Sequence, residues 1–160
     1  MVSCRMSKED LYVKCQNDIL DSHFFVSLSQ YLEEDLESGE FRFQYNRLNA
    51  KAVFTSDTKE ENIDFKKNKI NDLLKEISGE TGIHITEIYK KGNDYEFYGV
   101  ENCSFSIVRT SDIKNYIDEN YKGYTYFERC DENLLDKYPQ CVFKLRDNYF
   151  LVINQLWPPS

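Results

Sequence analysis

Ile83-His84-Ile85-Thr86-Glu87-Ile88-Tyr89 and Asp94-Tyr95-Glu96-Phe97-Tyr98 stand on either side of Lys91-Gly92-Asn93, and this stretch sets the class of the fold. Ile83 and Ile85 alternate with His84 and Thr86, and Tyr95 and Phe97 alternate with Asp94 and Glu96, the period of a strand with one face on a core. Gly92 and Asn93 supply the positive φ that a tight hairpin loop demands. A further strand is expected over residues 104–109.

Upstream the period changes to that of helices. Ser7 as N-cap, Asp10 at the capping-box position, and Leu11, Cys15 and Ile19 on one face predict a helix over residues 7–20. Asp21-Ser22 restarts the pattern, and Phe24, Phe25, Leu28, Tyr31, Leu32 and Leu36 define an amphipathic second helix that stops near Ser38-Gly39. Phe41-Arg42-Phe43-Gln44-Tyr45 then alternates strictly, with Ala52-Val53-Phe54 as its hairpin partner after a turn at Leu48-Asn49. Thr58 and Glu61 read as a second capping box, opening the longest helix. That helix carries Ile63, Ile70, Leu73, Leu74 and Ile77 and ends at Ser78-Gly79.

Downstream of the deciding hairpin, Ser111 is placed to cap a helix carrying Ile113, Tyr116, Ile117 and Tyr121, with Gly123 as its terminator. Strand character returns over residues 124–129, a helical turn is expected at 133–137 before Pro139, and residues 142–146 and 149–154 form a hairpin around Asp147-Asn148. Tyr149, Leu151 and Ile153 oppose Phe150 and Val152 along the last strand, as expected of a central strand covered on both faces. Helices first, then hairpin-connected strands with two helical interruptions, predict an α+β class: one domain over residues 1–160, an antiparallel sheet with helices packed mainly on one face. No repeat or linker-like composition divides the chain.

The 160 residues include 1 Trp, 12 Tyr and 11 Phe, enough aromatic surface to build a core without disulfides. No run of apolar residues is long enough to span a bilayer, and the first ten residues lack the apolar stretch of a signal peptide. The expectation is a cytoplasmic protein that does not engage a membrane. Twenty Lys and Arg against 28 Asp and Glu leave a net charge of -8, which disfavours direct nucleic-acid binding.

Cysteines at 4, 15, 103, 130 and 141 show no CxxC or Cys/His pairing at metal-ligand spacing, so no metal site is expected, and they read as buried thiols. Spacing leaves a Cys130–Cys141 bridge open. Motifs for phosphate loops, nucleophile elbows and zinc hydrolases are missing, and nothing calls for a cofactor. His23 falls in the first turn of the second helix. His84 and Glu87 point to opposite faces of a strand, so the apparent His-x-x-Glu pair diverges. Lys66, Lys67 and Lys69 follow Glu60, Glu61 and Asp64 at spacings that pair within a helix.

The charge is unevenly placed. Residues 1–40 hold three basic and nine acidic side chains, whereas residues 121–160 are neutral. Glu33, Glu34, Asp35 and Glu37 crowd the C-terminal end of the second helix, with Glu40 just beyond, where the macrodipole is already negative. These five, with Tyr31 as an aromatic anchor, form the candidate surface for a basic protein partner. The expected function is a non-enzymatic acidic binding module, in its most concrete form an immunity or inhibitor protein that blocks the basic active site of a nuclease-type toxin or other nucleic-acid enzyme. The competing expectation is a small-molecule-binding or enzymatic α+β domain using His84 or a cysteine in a pocket between helices and sheet.

Overall fold

Ser7 opens the fold as expected: its hydroxyl accepts a hydrogen bond from the Asp10 N–H at 3.0 Å and starts α1, Lys8–Val13. This is a computed structural model, and it describes residues 7–36, 39–46, 48–100, 104–129, 137–138 and 140–153. α1 runs directly into a π-helical stretch, Lys14–Ile19, closed by the Leu20 N–H on the Cys15 carbonyl at 3.2 Å. Spacings of four drift by about 40° per step on an α-helix of 3.6 residues per turn. Widening the turn reduces that drift, and Leu11, Cys15 and Ile19 all end fully buried.

The remaining helices are α2 (His23–Glu34), α3 (Ile63–Thr81) and α4 (Ile113–Asn120). The strands are β1 (Glu40–Asn46), β2 (Lys51–Ser56), β3 (Ile85–Lys91), β4 (Asp94–Val100), β5 (Ser104–Arg109), β6 (Thr125–Phe127), β7 (Cys141–Lys144) and β8 (Tyr149–Ile153). They form one sheet in the order β2-β1-β3-β4-β5-β8-β7-β6. Every pairing is antiparallel except β6 with β7, which is parallel. The architecture is α+β.

Several boundaries depart from the sequence reading for local reasons. α3 begins at Ile63 behind Asn62, which sits at φ 54°, so Thr58 and Glu61 build no capping box. The helix also runs past Gly79 to Gly82, whose φ of 76° makes it the left-handed stop. At α4 the cap is Asp112, not Ser111: its carboxylate accepts from the Asn115 N–H at 3.2 Å. The β7–β8 hairpin occupies the second and third positions from the sheet edge and not its centre, although β8 is covered on both faces as its composition implied. The helical turn expected at 133–137 falls largely outside the described residues.

α1, the π-helical stretch, α2 and α3 cover one face. Phe43, Ile88, Phe97, Ile107 and Leu151 from successive strands meet Leu28, Leu32, Ile70 and Ile77 in a continuous core. Each such side chain withdrawn from water contributes roughly 1.5–3 kcal/mol. On the other face Val108, Val142, Phe150 and Val152 pack under Tyr116 and Ile117 of α4. α4 therefore covers the β5-β8-β7 half, and among the described residues no helix lies on the β2-β1-β3 half of that face.

Candidate functional site

α2 and α3 run antiparallel, and two contacts establish it. At one end the Ser22 hydroxyl donates to Glu80 Oε2 at 3.1 Å, joining the start of α2 to the end of α3. At the other, Tyr31 of α2 feels the charges of Lys66 and Glu60 at the start of α3. Burial, reinforced by Asp35, pushes the Tyr31 phenol above its ordinary value. Tyr31 is thus half-buried between helices, and its ring serves the α2–α3 packing as well as the surface.

This arrangement divides the acidic cluster. Glu33 forms an ion pair with Arg109 of β5. Glu40, the first residue of β1, accepts a hydrogen bond from the Tyr89 hydroxyl at 2.9 Å, and that bond is the main reason the Tyr89 phenol is pushed up. Glu34 and Asp35 are exposed and make no ion pair among the described residues. Glu37 lies outside the described residues. The positive N-terminal end of α3 also lies beside the C-terminal end of α2 and offsets part of the dipole penalty. The five carboxylates are therefore not one continuous free surface, and the antiparallel neighbour supplies a structural reason for their placement that periodicity in α2 alone could not show.

What the same end of the helical layer adds is apolar exposure. Phe65 is 69% exposed and Ile63 36% exposed in the first turn of α3, flanked by exposed Glu61 and Asp64. Phe65 stands about 140° around the helix from Ile70, off the stripe that faces the core. Cations here are largely occupied: Lys66 Nζ lies 2.8 Å from the fully buried side chain of Glu60, and Lys67 pairs with Asp64 at 3.4 Å. Of the intrahelical pairs that the spacing implied, Lys67 with Asp64 forms at i, i+3, whereas Lys66 reaches six residues back to Glu60, which precedes the helix.

Beside Glu33 a groove of about 460 Å³ separates α2 from the turn between β7 and β8. Both of its arginines are paired, Arg109 with Glu33 across the groove and Arg146 with Asp21. Arg109 additionally lies over the Tyr95 ring, 5.8 Å from its centroid. The geometry fits a structural clasp between α2 and the sheet.

Compared with protein-family models, curated proteins and solved structures, the chain matches none. Its chemistry is read from its own side chains.

For the two cysteines among the described residues, Cys15 and Cys141, burial speaks against a nucleophilic role. Cys15 is fully buried, and burial, with Asp18 adding to it, pushes its thiol up, the opposite of an activated nucleophile. Cys141 is fully buried as well, while Cys4, Cys103 and Cys130 lie outside the described residues, and with Cys130 the proposed bridge. Glu87 and His84 diverge as expected: Glu87 accepts from Arg42 at 2.8 Å and Gln44 at 2.7 Å on the open face of the sheet. His84 instead turns to α3, where Ser78 Oγ lies 2.6 Å from its Nδ1. That pair was hidden in sequence because Ser78 read as a helix terminator. Among the described residues no group of three His, Cys, Asp or Glu side chains could hold a metal ion. No helix of the described residues is long and apolar enough to cross a membrane.

Proposed function

We propose that this protein is a non-enzymatic acidic binding module whose partner is a basic protein, in the manner of an inhibitor or immunity protein that covers the cationic active site of a nuclease-type toxin or other nucleic-acid enzyme. The observation that carries the reading is the exposed Phe65, with Ile63, in the first turn of α3, an end that also carries exposed Glu61 and Asp64 and neighbours the end of α2 with exposed Glu34 and Asp35. An exposed aromatic ring on an end of the helical layer rich in exposed carboxylates combines the two components of a selective interface. The ring supplies the apolar anchor, and the carboxylates accelerate encounter with a cationic surface and reject acidic competitors. The net charge of -8 acts in the same direction at longer range.

The test uses the chain immobilised and exposed to lysate of its native host, beside the variants Glu34→Lys/Asp35→Lys and Phe65→Ala. Wild type is expected to retain a basic protein at about 0.1 M salt and release it as the Debye length shrinks toward about 3 Å near 1 M. Both variants are expected to lose that protein while keeping the wild-type melting temperature, because the substituted groups are exposed. Equal retention by all three chains, or retention indifferent to salt, counts against the assignment.

A further inference from the structure

At the opposite end of α3 a cavity of about 250 Å³ opens between that helix and the start of β3. The space is many times what a single water needs and admits a small organic molecule. Asn71, Lys75 and Ser78 follow one another at i, i+4 and i+7 and project from the same ridge of α3. The hydrogen-bonded Ser78–His84 pair closes one wall, and Leu74 and Ile85 supply apolar surface. Tyr45 and Thr86 add hydroxyls at the rim.

The chemistry of this lining is one-sided. No Asp or Glu reaches it, in a chain with 28 of them, whereas two larger clefts contain Glu33 with Asp147 and Glu87 respectively. Lys75 makes no ion pair among the described residues. The last turn of α3 presents a negative dipole end, and two of its carbonyls are engaged: the Gly82 N–H donates to Ser78 O at 2.8 Å and the Lys14 ammonium to Thr81 O at 2.8 Å, which brings a cation to that end. A cation, an amide and a hydroxyl on one ridge, with apolar surface from Leu74 and Ile85, match a ligand with a negatively charged oxygen head and a small apolar body.

The geometry points to a binding site for a small organic oxyanion, a carboxylate or a phosphate ester, in which Lys75 meets the charge, Asn71 and Ser78 orient it, and Leu74 and Ile85 receive the apolar part. His84 is a positioning residue that fixes the Ser78 hydroxyl. The site lies away from the acidic end of α3 and stands or falls separately from the protein-binding reading.

The test titrates the full isotopically labelled chain with benzoate, with phenyl phosphate, and with uncharged benzyl alcohol, following backbone amide resonances. One of the two anions is expected to shift the resonances of Asn71, Lys75, Ser78 and His84 saturably, with Kd below about 1 mM, and the alcohol is expected to bind at least about tenfold more weakly. Saturation by benzoate alone assigns a carboxylate ligand, and by phenyl phosphate alone a phosphate ester. Lys75→Met is expected to weaken the favoured anion about tenfold and Ser78→Ala to weaken it measurably, while Lys114→Met on the distant α4 leaves it unchanged. Lys75 and Lys114 are both exposed, so thermal melts of the two variants should coincide with wild type. Unsaturable shifts with both anions, or equal affinity in Lys75→Met and wild type, overturns the proposal.

Discussion

Glu33 on the last turn of α2 is held by Arg109 at the end of β5, so a residue that sequence alone offers to a partner is spent on the fold. The side chains are 41% and 33% exposed, and a pair this open to water contributes about 0.5–1 kcal/mol. Arg109→Met should cost more than Glu33→Gln, because Arg109 also lies over the Tyr95 ring. A double-mutant cycle read by urea denaturation should give a coupling in that range. Zero coupling would show the contact to be incidental. Glu33→Lys faces Arg109 with a second cation and should lower the melting temperature, which is why Glu34 and Asp35 are the cleaner positions for charge reversal.

Glu60 and Lys66 behave differently, since their side chains are 0% and 15% exposed at a separation of 2.8 Å. Removing only the cation takes the counter-charge at 2.8 Å from a buried carboxylate, and Lys66→Met should destabilise by about 3 kcal/mol. Glu60→Gln together with Lys66→Met should recover most of that loss, because the pair's own desolvation cost disappears with it. Denaturant midpoints of the two single variants and the double variant check this. A double variant as unstable as the sum of the singles would mean that the pair is not the unit.

The legible part of the fold was local. Period-two runs, the Gly92 turn and the core stripe Ile70, Leu73, Leu74 and Ile77 are properties of neighbours in sequence, and they placed the elements and their faces. Contacts between distant segments were not legible: nothing in α2 announces Arg109, 76 positions later, nor that α3 runs back alongside it. The parallel β6–β7 pairing is of the same kind, since a parallel neighbour needs a crossover whose path periodicity does not encode. At the candidate surface, Phe65 did carry a signal, as the large apolar residue off the core stripe of its helix. Ser78 with His84 carried none, because the helix continues two residues beyond the glycine that reads as its end.

Gly99 of β4 lies directly opposite Phe105 of β5, and the missing side chain is filled by the ring. A Cβ there would meet Phe105 Cζ at 2.2 Å and Cε1 at 2.5 Å, and Phe105 is only 1% exposed. Gly99→Ala should therefore destabilise by about 1–3 kcal/mol, the ordinary cost of overpacking a core. Combining it with Phe105→Leu removes the clashing ring edge and should leave the double variant more stable than the two single losses added together. Simple additivity in denaturation experiments would argue against direct contact.

Glu96 of β4 anchors α4 by accepting hydrogen bonds from two phenols, Tyr116 at 3.2 Å and Tyr121. Burial first, and then the Glu96 carboxylate, raises both phenols well above the ordinary tyrosine range. Tyr126 on β6 is pushed up to about 12, by burial and then by Glu128. In the unfolded chain all three lose protons near pH 10, so above that pH the folded state binds more protons than the unfolded one and stability falls as pH rises. The contribution is whole below about pH 10 and is lost as pH climbs through the folded values. Urea midpoints should hold steady up to about pH 9 and fall steeply above about pH 10, with phenolate absorbance of the buried rings appearing only as the chain unfolds. Tyr121→Phe should lower overall stability yet make the alkaline decline shallower, because one phenol no longer discriminates between the two states. An unchanged slope in that variant, or free titration of every tyrosine in the folded chain, would remove Glu96 and its two phenols as the anchor of α4.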